Sequence, residues 1–315
     1  MKLRIRLLCV IGLALLPSVG ARAESRLVSG QFENTLLPAA LKFMVLLPDG
    51  YEPTGEPVPL LYFLHGGGGD NDFLKKNKPL LDELWAGGKL PKLVVVTPDC
   101  DRSFYMDYKD GSHKYETLLT GPFLEHMRQA YKIRAGRRGV YLFGISMGGM
   151  GALRMGLKYP EKFGGLAALE PGVDPVLQWK DLLPRHRFWR APALMETIFG
   201  RPFDAAYWEA NNPATIANAN PQKIRDSKIA LYLDVGDQDA FGLNEATEFM
   251  HQILWKNNIE HEYHLVHGAD HVGRTLRPRS AEGLQFLSRA IDPPPPDPAA
   301  EQLHKQLAPL KRNAK

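Results

Sequence analysis

Cysteine is scarce in this 315-residue sequence, which contains only Cys9 and Cys100. Cys9 lies in an N-terminal segment that we expect to be removed, so the mature chain would keep one thiol and form no internal disulfide. Long apolar runs are also few, and the one in this first segment is too short for a permanent bilayer anchor. We therefore expect neither a disulfide scaffold nor a stable membrane anchor.

The first 23 residues have the pattern of a cleaved secretory signal. Basic residues stand at positions 2, 4 and 6, an apolar run covers 7–16, and Ala21-Arg22-Ala23 offers a small-x-small cleavage site. The sequence predicts a signal peptide over 1–23, cut before Glu24, and thus a periplasmic or secreted protein.

The net charge gives no reason to expect nucleic acid as a partner. The formal value is +4, and the predicted signal alone carries Lys2, Arg4, Arg6 and Arg22 with no acidic residue. The mature chain is therefore close to neutral, whereas proteins that bind nucleic acid concentrate positive charge.

Buried strands alternate with helical sequence along most of the chain. Residues 26–47 alternate apolar and polar side chains, as in antiparallel edge strands, and further strands are predicted at 60–64, 93–96, 140–143, 164–169, 229–233 and 261–266, with a continuous apolar run at 60–64. Such runs are typical of strands buried on both faces. The pattern predicts an α/β fold, with a mostly parallel central sheet and helices on both faces.

One domain is predicted over 24–291, with an insertion over about 174–226 after the sixth strand. The insertion contains three tryptophans and several prolines and is too long for a plain connection. We interpret it as a lid over the site; a purely structural helical excursion is the alternative. Residues 292–315 begin with a proline-rich run and are predicted to be a disordered tail.

The central motif is Gly144-Ile145-Ser146-Met147-Gly148. It stands between a predicted strand and a predicted helix, the context of a nucleophile elbow. Glycines on both sides permit a tight turn that holds the Ser146 hydroxyl above the sheet. The N–H of Met147 would face the same space at a helix N-terminus, where an oxyanion is favoured.

A serine nucleophile needs a base, and the base needs an orienting acid. In this architecture the acid follows a late strand, and the sequence there contains Asp234, Asp237 and Asp239. We favour Asp239, with Asp237 as the close rival and Asp234 as a buried strand-end residue. Glu170, after the preceding strand, is a further possibility.

The base should follow the last strand, where four histidines cluster. His271 lies beyond the strand on a loop and is our candidate, with His267 as the alternative; His261 and His264 belong to the strand. The spacing of these histidines matches no standard zinc arrangement. We expect neither a metal nor a cofactor.

A second oxyanion donor should come from the loop after the early buried strand. His65 is followed there by four glycines, whose N–H groups can approach a bound carbonyl closely. We assign Gly67 as the donor and Gly66 as its neighbour. A phosphate-binding loop would need a following Gly-Lys-Ser/Thr, which is missing at this point.

Five segments together resemble the esterase D-like esterase family: LLYFLHGGGGDNDF, VVVTPDCDRSFYMD, GISMGGMGAL, LYLDVGDQD and YHLVHGADH. The group includes S-formylglutathione hydrolases, feruloyl and acetyl-xylan esterases, siderophore esterases and mycolyltransferases of the antigen 85 type. The resemblance implies an α/β-hydrolase fold with Ser146, Asp239 and His271 as triad. Where many members have Ser-Gly after the strand following the elbow, this chain has Glu170-Pro171-Gly172.

The resulting hypothesis is an exported serine carboxylesterase acting on short-chain, phenolic or carbohydrate-linked esters. An acyltransferase of the antigen 85 type and a siderophore-ester hydrolase are alternatives within the same chemistry. A non-catalytic binding protein on a hydrolase scaffold is the alternative from another class.

Overall fold

A computed structural model describes residues 24–313. The predicted signal peptide over 1–23 lies outside these described residues. None of the helices within 24–313 combines the length and the apolar composition required to cross a membrane.

The strands form one sheet in the order β1-β2-β4-β3-β5-β6-β7-β8. From β4 to β8 the neighbours pair in parallel, whereas β2 pairs antiparallel with both β1 and β4. The predicted mostly parallel sheet is therefore confirmed. The strands are β1 (Arg26–Phe32), β2 (Leu41–Leu47), β3 (Leu60–Leu64), β4 (Val94–Pro98), β5 (Val140–Ile145), β6 (Gly165–Leu169), β7 (Ala230–Gly236) and β8 (Glu262–Val266).

Helices connect the strands and continue beyond the last one. They are α1 (Asp72–Ala86), α2 (Tyr115–Thr120), α3 (Pro122–Ala130), α4 (Met147–Lys158), α5 (Pro192–Phe199), α6 (Ala205–Asn211), α7 (Pro213–Ala219), α8 (Pro221–Ser227), α9 (Leu243–Lys256), α10 (Leu276–Ile291) and α11 (Pro298–Asn313).

The sheet has a hydrophobic core on each face, because alternate residues of a strand point to opposite sides. In β3, Tyr62 belongs to the core on one face, which also contains residues of α4 and α9, and Phe63 belongs to the core on the other face, which contains residues of α1 and α10. The Phe63 ring stacks on Phe143 of β5 at a centroid distance of 4.7 Å. Helices thus cover both faces, as the continuous apolar runs predict.

The predicted insertion consists of α5 to α8, preceded by 3-10 turns at Trp179–Asp181 and Pro184–His186. Trp208 of α6 is 2% exposed and belongs to the core, so this part of the insertion is structural. Trp189 instead reaches a cavity beside Ser146. The mobile lid stays a prediction.

The tail differs from the prediction of disorder, because Pro298–Asn313 form helix α11. A capping signal follows the proline run: Asp297 accepts a hydrogen bond from the N–H of Ala299 at 2.9 Å, and Pro298 takes the first helical position. The proline run dominated the sequence pattern and obscured this helix start.

Candidate active site

Ser146 occupies a strained turn between β5 and α4, with φ 59° and ψ −117°. A Cβ atom on Gly144 would lie 2.1 Å from the carbonyl oxygen of Gly148, and one on Gly148 would lie 2.2 Å from that of Leu64. Both positions therefore require glycine. The turn is the strand-to-helix elbow expected from the sequence, and it presents the serine hydroxyl above the sheet.

The loops after β7 and β8 bring an acid and an imidazole to this hydroxyl. Nε2 of His271 lies 3.1 Å from Oγ of Ser146, although 125 positions separate the two residues. Nδ1 of the same ring lies 2.8 Å from Oδ2 of Asp239. The three side chains form one hydrogen-bonded chain, and each comes from the carboxyl end of a parallel strand.

The Asp239 carboxylate is held by donors on both oxygens. Besides His271 at Oδ2, the N–H groups of Phe241 and Leu243 donate to Oδ1 at 2.8 and 3.2 Å. Burial alone would raise the pKa of Asp239, but the hydrogen bonds from His271 and from Glu170 outweigh it and leave that pKa below its usual value. Asp239 is therefore a stable anion beside the imidazole.

The rival residues lie elsewhere in the same loops. Asp237 contacts Nδ1 of His267 at 2.8 Å, in a pair whose histidine side chain is 98% exposed. Asp234 is fully buried at the end of β7, where it accepts a hydrogen bond from Nε of Arg279 at 2.7 Å. The structure thus places Asp239 and His271, rather than Asp237 and His267, next to the serine.

Glu170, which the sequence suggested only as a substitute acid, lies beside Asp239 and His271. Its side chain is fully buried and contacts Asp239 and Arg279. Burial, together with the contact to Asp239, raises the pKa of Glu170 to about 8 despite the opposing effect of Arg279. The site therefore contains a second carboxyl group that favours its neutral form. Nothing in the sequence pattern indicated Arg279.

The glycine loop after β3 faces the serine from the other side. Gly66, Gly67 and Met147 line the same cavity as Ser146. The N–H of Met147 belongs to the first turn of α4 and has no acceptor within the helix, and Gly67 donates to no backbone carbonyl in the described part of the chain. Both N–H groups are thus available to a bound oxygen.

His65 fixes the start of this loop, a role that the sequence analysis did not assign. The ring is fully buried; Nε2 accepts the N–H of Cys100 at 3.1 Å, and Nδ1 lies 2.8 Å from the Gly66 carbonyl oxygen. Burial is the largest effect on this ring and lowers its pKa. A neutral His65 therefore orients the loop. Its position directly before four glycines is the sequence feature from which this role could have been predicted.

The cavity above Ser146 has a volume of about 540 Å³. Its walls include Phe104, Trp189 and Phe241, with Arg102 beside Gly67. Phe188 is exposed and stacks on the wall residue Phe241, with 6.2 Å between ring centroids. A pocket of this size with apolar walls suits a small ligand that has an aromatic or aliphatic part.

Glu170, Asp239 and His271 form a cluster of potential metal ligands among the described residues, with one ligand atom of each within 4.8 Å of the others. Both nitrogens of His271 are already engaged, one with Asp239 and the other with Ser146. Hydrogen bonding explains the arrangement without a metal ligand role.

Comparison with known proteins gives a family match. A family model described as "Putative esterase" matches residues 35–276. Esterase Rv1288 of Mycobacterium tuberculosis is 28% identical over 257 residues, which cover 74% of this chain and 52% of that protein. The chain thus spans about half the length of the curated relatives that it matches first.

Solved structures share the fold. A ferulic acid esterase superposes with a TM-score of 0.70 at 20% identity, covering 85% of this chain and 99% of that one. An S-formylglutathione hydrolase from Agrobacterium tumefaciens has a TM-score of 0.68 at 20% identity, covering 85% and 96%. These likenesses confirm the predicted α/β-hydrolase architecture.

Proposed function

The chain belongs to the family described as "Putative esterase", and on that premise we propose that it is a serine carboxylesterase acting through an acyl-enzyme on Ser146. The observation that carries the proposal is the hydrogen-bonded chain from Asp239 through His271 to Ser146, which opens into the cavity. A nucleophile, a base and an orienting acid in this contact are the requirements for acyl transfer from an ester.

In the first half of the reaction, Oγ of Ser146 attacks the ester carbonyl and Nε2 of His271 takes the hydroxyl proton. The carbonyl oxygen becomes an oxyanion, and the N–H groups of Met147 and Gly67 donate to it. Asp239 stabilises the imidazolium that forms. His271 then gives its proton to the departing alcohol, which leaves an acyl group on Ser146.

In the second half, water takes the place of the alcohol. His271 accepts a proton from the water as it attacks the acyl carbonyl, and returns that proton to Oγ as the bond to Ser146 breaks. The products are a carboxylic acid and the free enzyme. If an alcohol of a carbohydrate took the place of water, the same steps would give an acyltransferase.

An ester with an aromatic or other apolar acyl part is the substrate class that we propose. Its support is the lining by Phe104, Trp189 and Phe241, since aromatic walls stabilise aromatic ligands by stacking and edge contacts. The fold likeness to a ferulic acid esterase is consistent with a phenolic acyl group. We therefore expect the protein to hydrolyse phenolic esters in preference to acetyl esters.

Export is the second part of the proposal and is supported by the signal pattern over 1–23. A full-length protein expressed in a bacterial host should appear outside the cytoplasm with Glu24 as its first residue. N-terminal sequencing checks this, and an uncleaved protein retained in the cytoplasm would contradict it.

The test of activity is hydrolysis of p-nitrophenyl acetate, butyrate and octanoate and of a ferulate ester, by the wild type and by Ser146→Ala. We expect turnover that disappears in the variant, with the ferulate ester preferred. Labelling of Ser146 by a fluorophosphonate without ester turnover would favour an acyltransferase that awaits its acceptor. A folded protein that shows neither would instead be a binding protein on a hydrolase scaffold.

A further inference from the structure

A second carboxyl group is in contact with the acid of the site. One oxygen of Glu170, one oxygen of Asp239 and one ring nitrogen of His271 lie within 4.8 Å of one another, and both carboxyl groups are buried. Two ionised carboxylates repel each other at this distance, and two oxygens can share a hydrogen bond only if one of them carries a proton.

The backbone places Glu170 at this point with some strain. Glu170 follows directly after β6 with φ 45°, a left-handed conformation that is uncommon for a residue with a side chain. Its N–H donates to the carbonyl oxygen of Asp234 on the neighbouring strand β7 at 2.8 Å. Strained backbone of this kind persists where surrounding contacts hold it, often at functional sites.

The charges around Glu170 favour one retained proton. Arg279 of α10 contacts Oε1 of Glu170 and also pairs with Asp234. One guanidinium therefore faces two buried carboxyl groups, those of Glu170 and Asp234, and a third, that of Asp239, lies between Glu170 and His271. His264 and Glu282 influence the cluster from the side of Asp234. A proton on one carboxyl group reduces the excess negative charge from −2 to −1.

Hydrogen bonds decide which carboxyl group carries that proton. Asp239 accepts from His271, Phe241 and Leu243, which favours its ionised form. Arg279 contacts Oε1 of Glu170, and the N–H of Gly236 is shared between Oε1 at 3.3 Å and Oε2 at 3.4 Å. The charged donor is therefore on Oε1, and Oε2 can hold a hydrogen. The raised pKa of Glu170 and the lowered pKa of Asp239 agree with this assignment.

We propose that Glu170 is a positioning residue, whose neutral carboxyl group donates an O–H hydrogen bond to Asp239 and holds that carboxylate in line with His271. This inference rests on the proposed esterase function, since it assigns a role beside the same Ser146. Glu170 does not touch the reacting atoms and gives up no proton during the cycle. Its effect is on the orientation of the imidazole.

The test compares Glu170→Gln with Glu170→Ala. The Gln side chain can still accept from Arg279 and donate to Asp239 but cannot ionise, whereas the Ala side chain can do neither. Near pH 6.5 we expect kcat of the Gln variant within about threefold of the wild type. The Ala variant should lose about tenfold to 100-fold in kcat with little change in KM, as for other groups that orient a catalytic side chain.

The dependence of kcat on pH separates positioning from a merely structural role, because a structural role would leave that dependence unchanged. As Glu170 ionises, its charge repels Asp239, so the wild type should lose activity above about pH 8; the Gln variant should keep its activity there. The proposal is overturned if the two proteins share the same alkaline limb, or if Gln loses as much activity as Ala. It is also overturned if Ala is as active as the wild type.

Two further measurements keep the result interpretable. Should Glu170→Ala fail to fold, the pH profile of the Gln variant decides alone. Should the wild type hydrolyse no ester, the proposed function fails, and the rate of Ser146 labelling by a fluorophosphonate across the same pH range still reports on the positioning of His271. Equal labelling profiles for the wild type and the Gln variant would then refute the role of Glu170.

Discussion

Oδ2 of Asp237 lies 2.8 Å from Nδ1 of His267, on the same two loops that carry Asp239 and His271. The two Asp–His pairs have equal lengths and opposite surroundings: the side chain of His267 is 98% exposed, whereas that of His271 is 11% exposed. The loops thus contain an internal control for the proposed triad.

The first prediction uses this control. Asp239→Asn should lower kcat by about 10⁴-fold, because the amide favours the wrong tautomer of the imidazole. Asp237→Asn should change kcat by less than about twofold, since exposed ion pairs contribute little. Steady-state kinetics on one ester measures both, and a large loss in the Asp237 variant alone would reverse the assignment.

The second prediction concerns the N–H of Gly67. A Cβ at this position would come no closer than 3.6 Å to Arg102, so Gly67→Ala fits and keeps the N–H. Gly67→Pro removes the donor and should lower kcat by about 10²- to 10³-fold. Circular dichroism checks that both variants fold. Similar activity in the two variants would remove Gly67 from the oxyanion hole.

The third prediction concerns the aromatic pair of Phe188 and Phe241, of which Phe241 lines the cavity. Phe188 is 65% exposed and stacks on Phe241, which itself contacts the ring of His271 edge-on at 4.5 Å. Phe188→Ala should raise KM for a ferulate ester by about twofold to tenfold and leave KM for the acetate unchanged. Equal effects on both esters would argue against an aromatic acyl site.

The fourth prediction is a dependence of stability on pH. The pKa of Glu170 is about 8 in the folded protein and about 4.3 in an unfolded chain. Between these values the folded state binds more protons than the unfolded state, so this group's contribution to stability declines as pH rises, by up to about 1.4 kcal/mol per pH unit.

Glu170→Gln carries no such dependence. Denaturant unfolding from pH 5 to pH 9 should therefore show the Gln variant gaining stability relative to the wild type as the pH rises. A constant difference in the free energy of unfolding across this range would mean that Glu170 is ionised throughout.

The fifth prediction concerns the buried pair of Glu116 and Arg154, which lies beneath the site. Arg154 is fully buried on α4, contacts Glu116 and donates to the carbonyl oxygen of Tyr105. Arg154→Met should lower the free energy of unfolding by about 3 kcal/mol. The buried Glu116 carboxylate keeps Lys158 and Tyr159 but loses its fully buried cation, and the Tyr105 carbonyl oxygen loses this donor.

The matched control for that variant is Arg277→Met. Arg277 pairs with Glu83 at 2.6 Å, but both side chains are more than half exposed, at 52% and 70%. Its loss should cost less than about 1 kcal/mol. Equal losses in urea unfolding of the two variants would show that burial of the Glu116–Arg154 pair adds nothing.

The sheet and the turn at Ser146 could be predicted because short segments of the sequence are enough to identify them. Apolar runs such as 60–64 mark strands buried on both faces, and the glycines around Ser146 are required by close backbone contacts. Asp239 and His271 could be chosen from the order of strands and loops. The contacts that separate Asp239 from Asp237 are tertiary, so the residues alone left that choice open.

Other features depend on contacts that no local pattern encodes. Arg279 lies in the first turn of α10 without any motif, yet it pairs with Glu170, directly after β6, and with Asp234 on β7. Helix α11 was missed because the proline run before it suggested disorder. In both cases the decisive partner, Asp234 for Arg279 and Asp297 for α11, is an ordinary acidic residue in the sequence.

The parallel pairing of β5, β6, β7 and β8 also has a kinetic consequence. Ser146 and His271 are 125 residues apart, so they meet only after the entropy of closing that long loop has been overcome. Docking of β8 must accompany or precede the appearance of turnover during refolding. The rate at which activity recovers therefore reports when the second half of the sheet has formed. The helical circular dichroism signal instead reports the formation of individual helices, which occurs earlier.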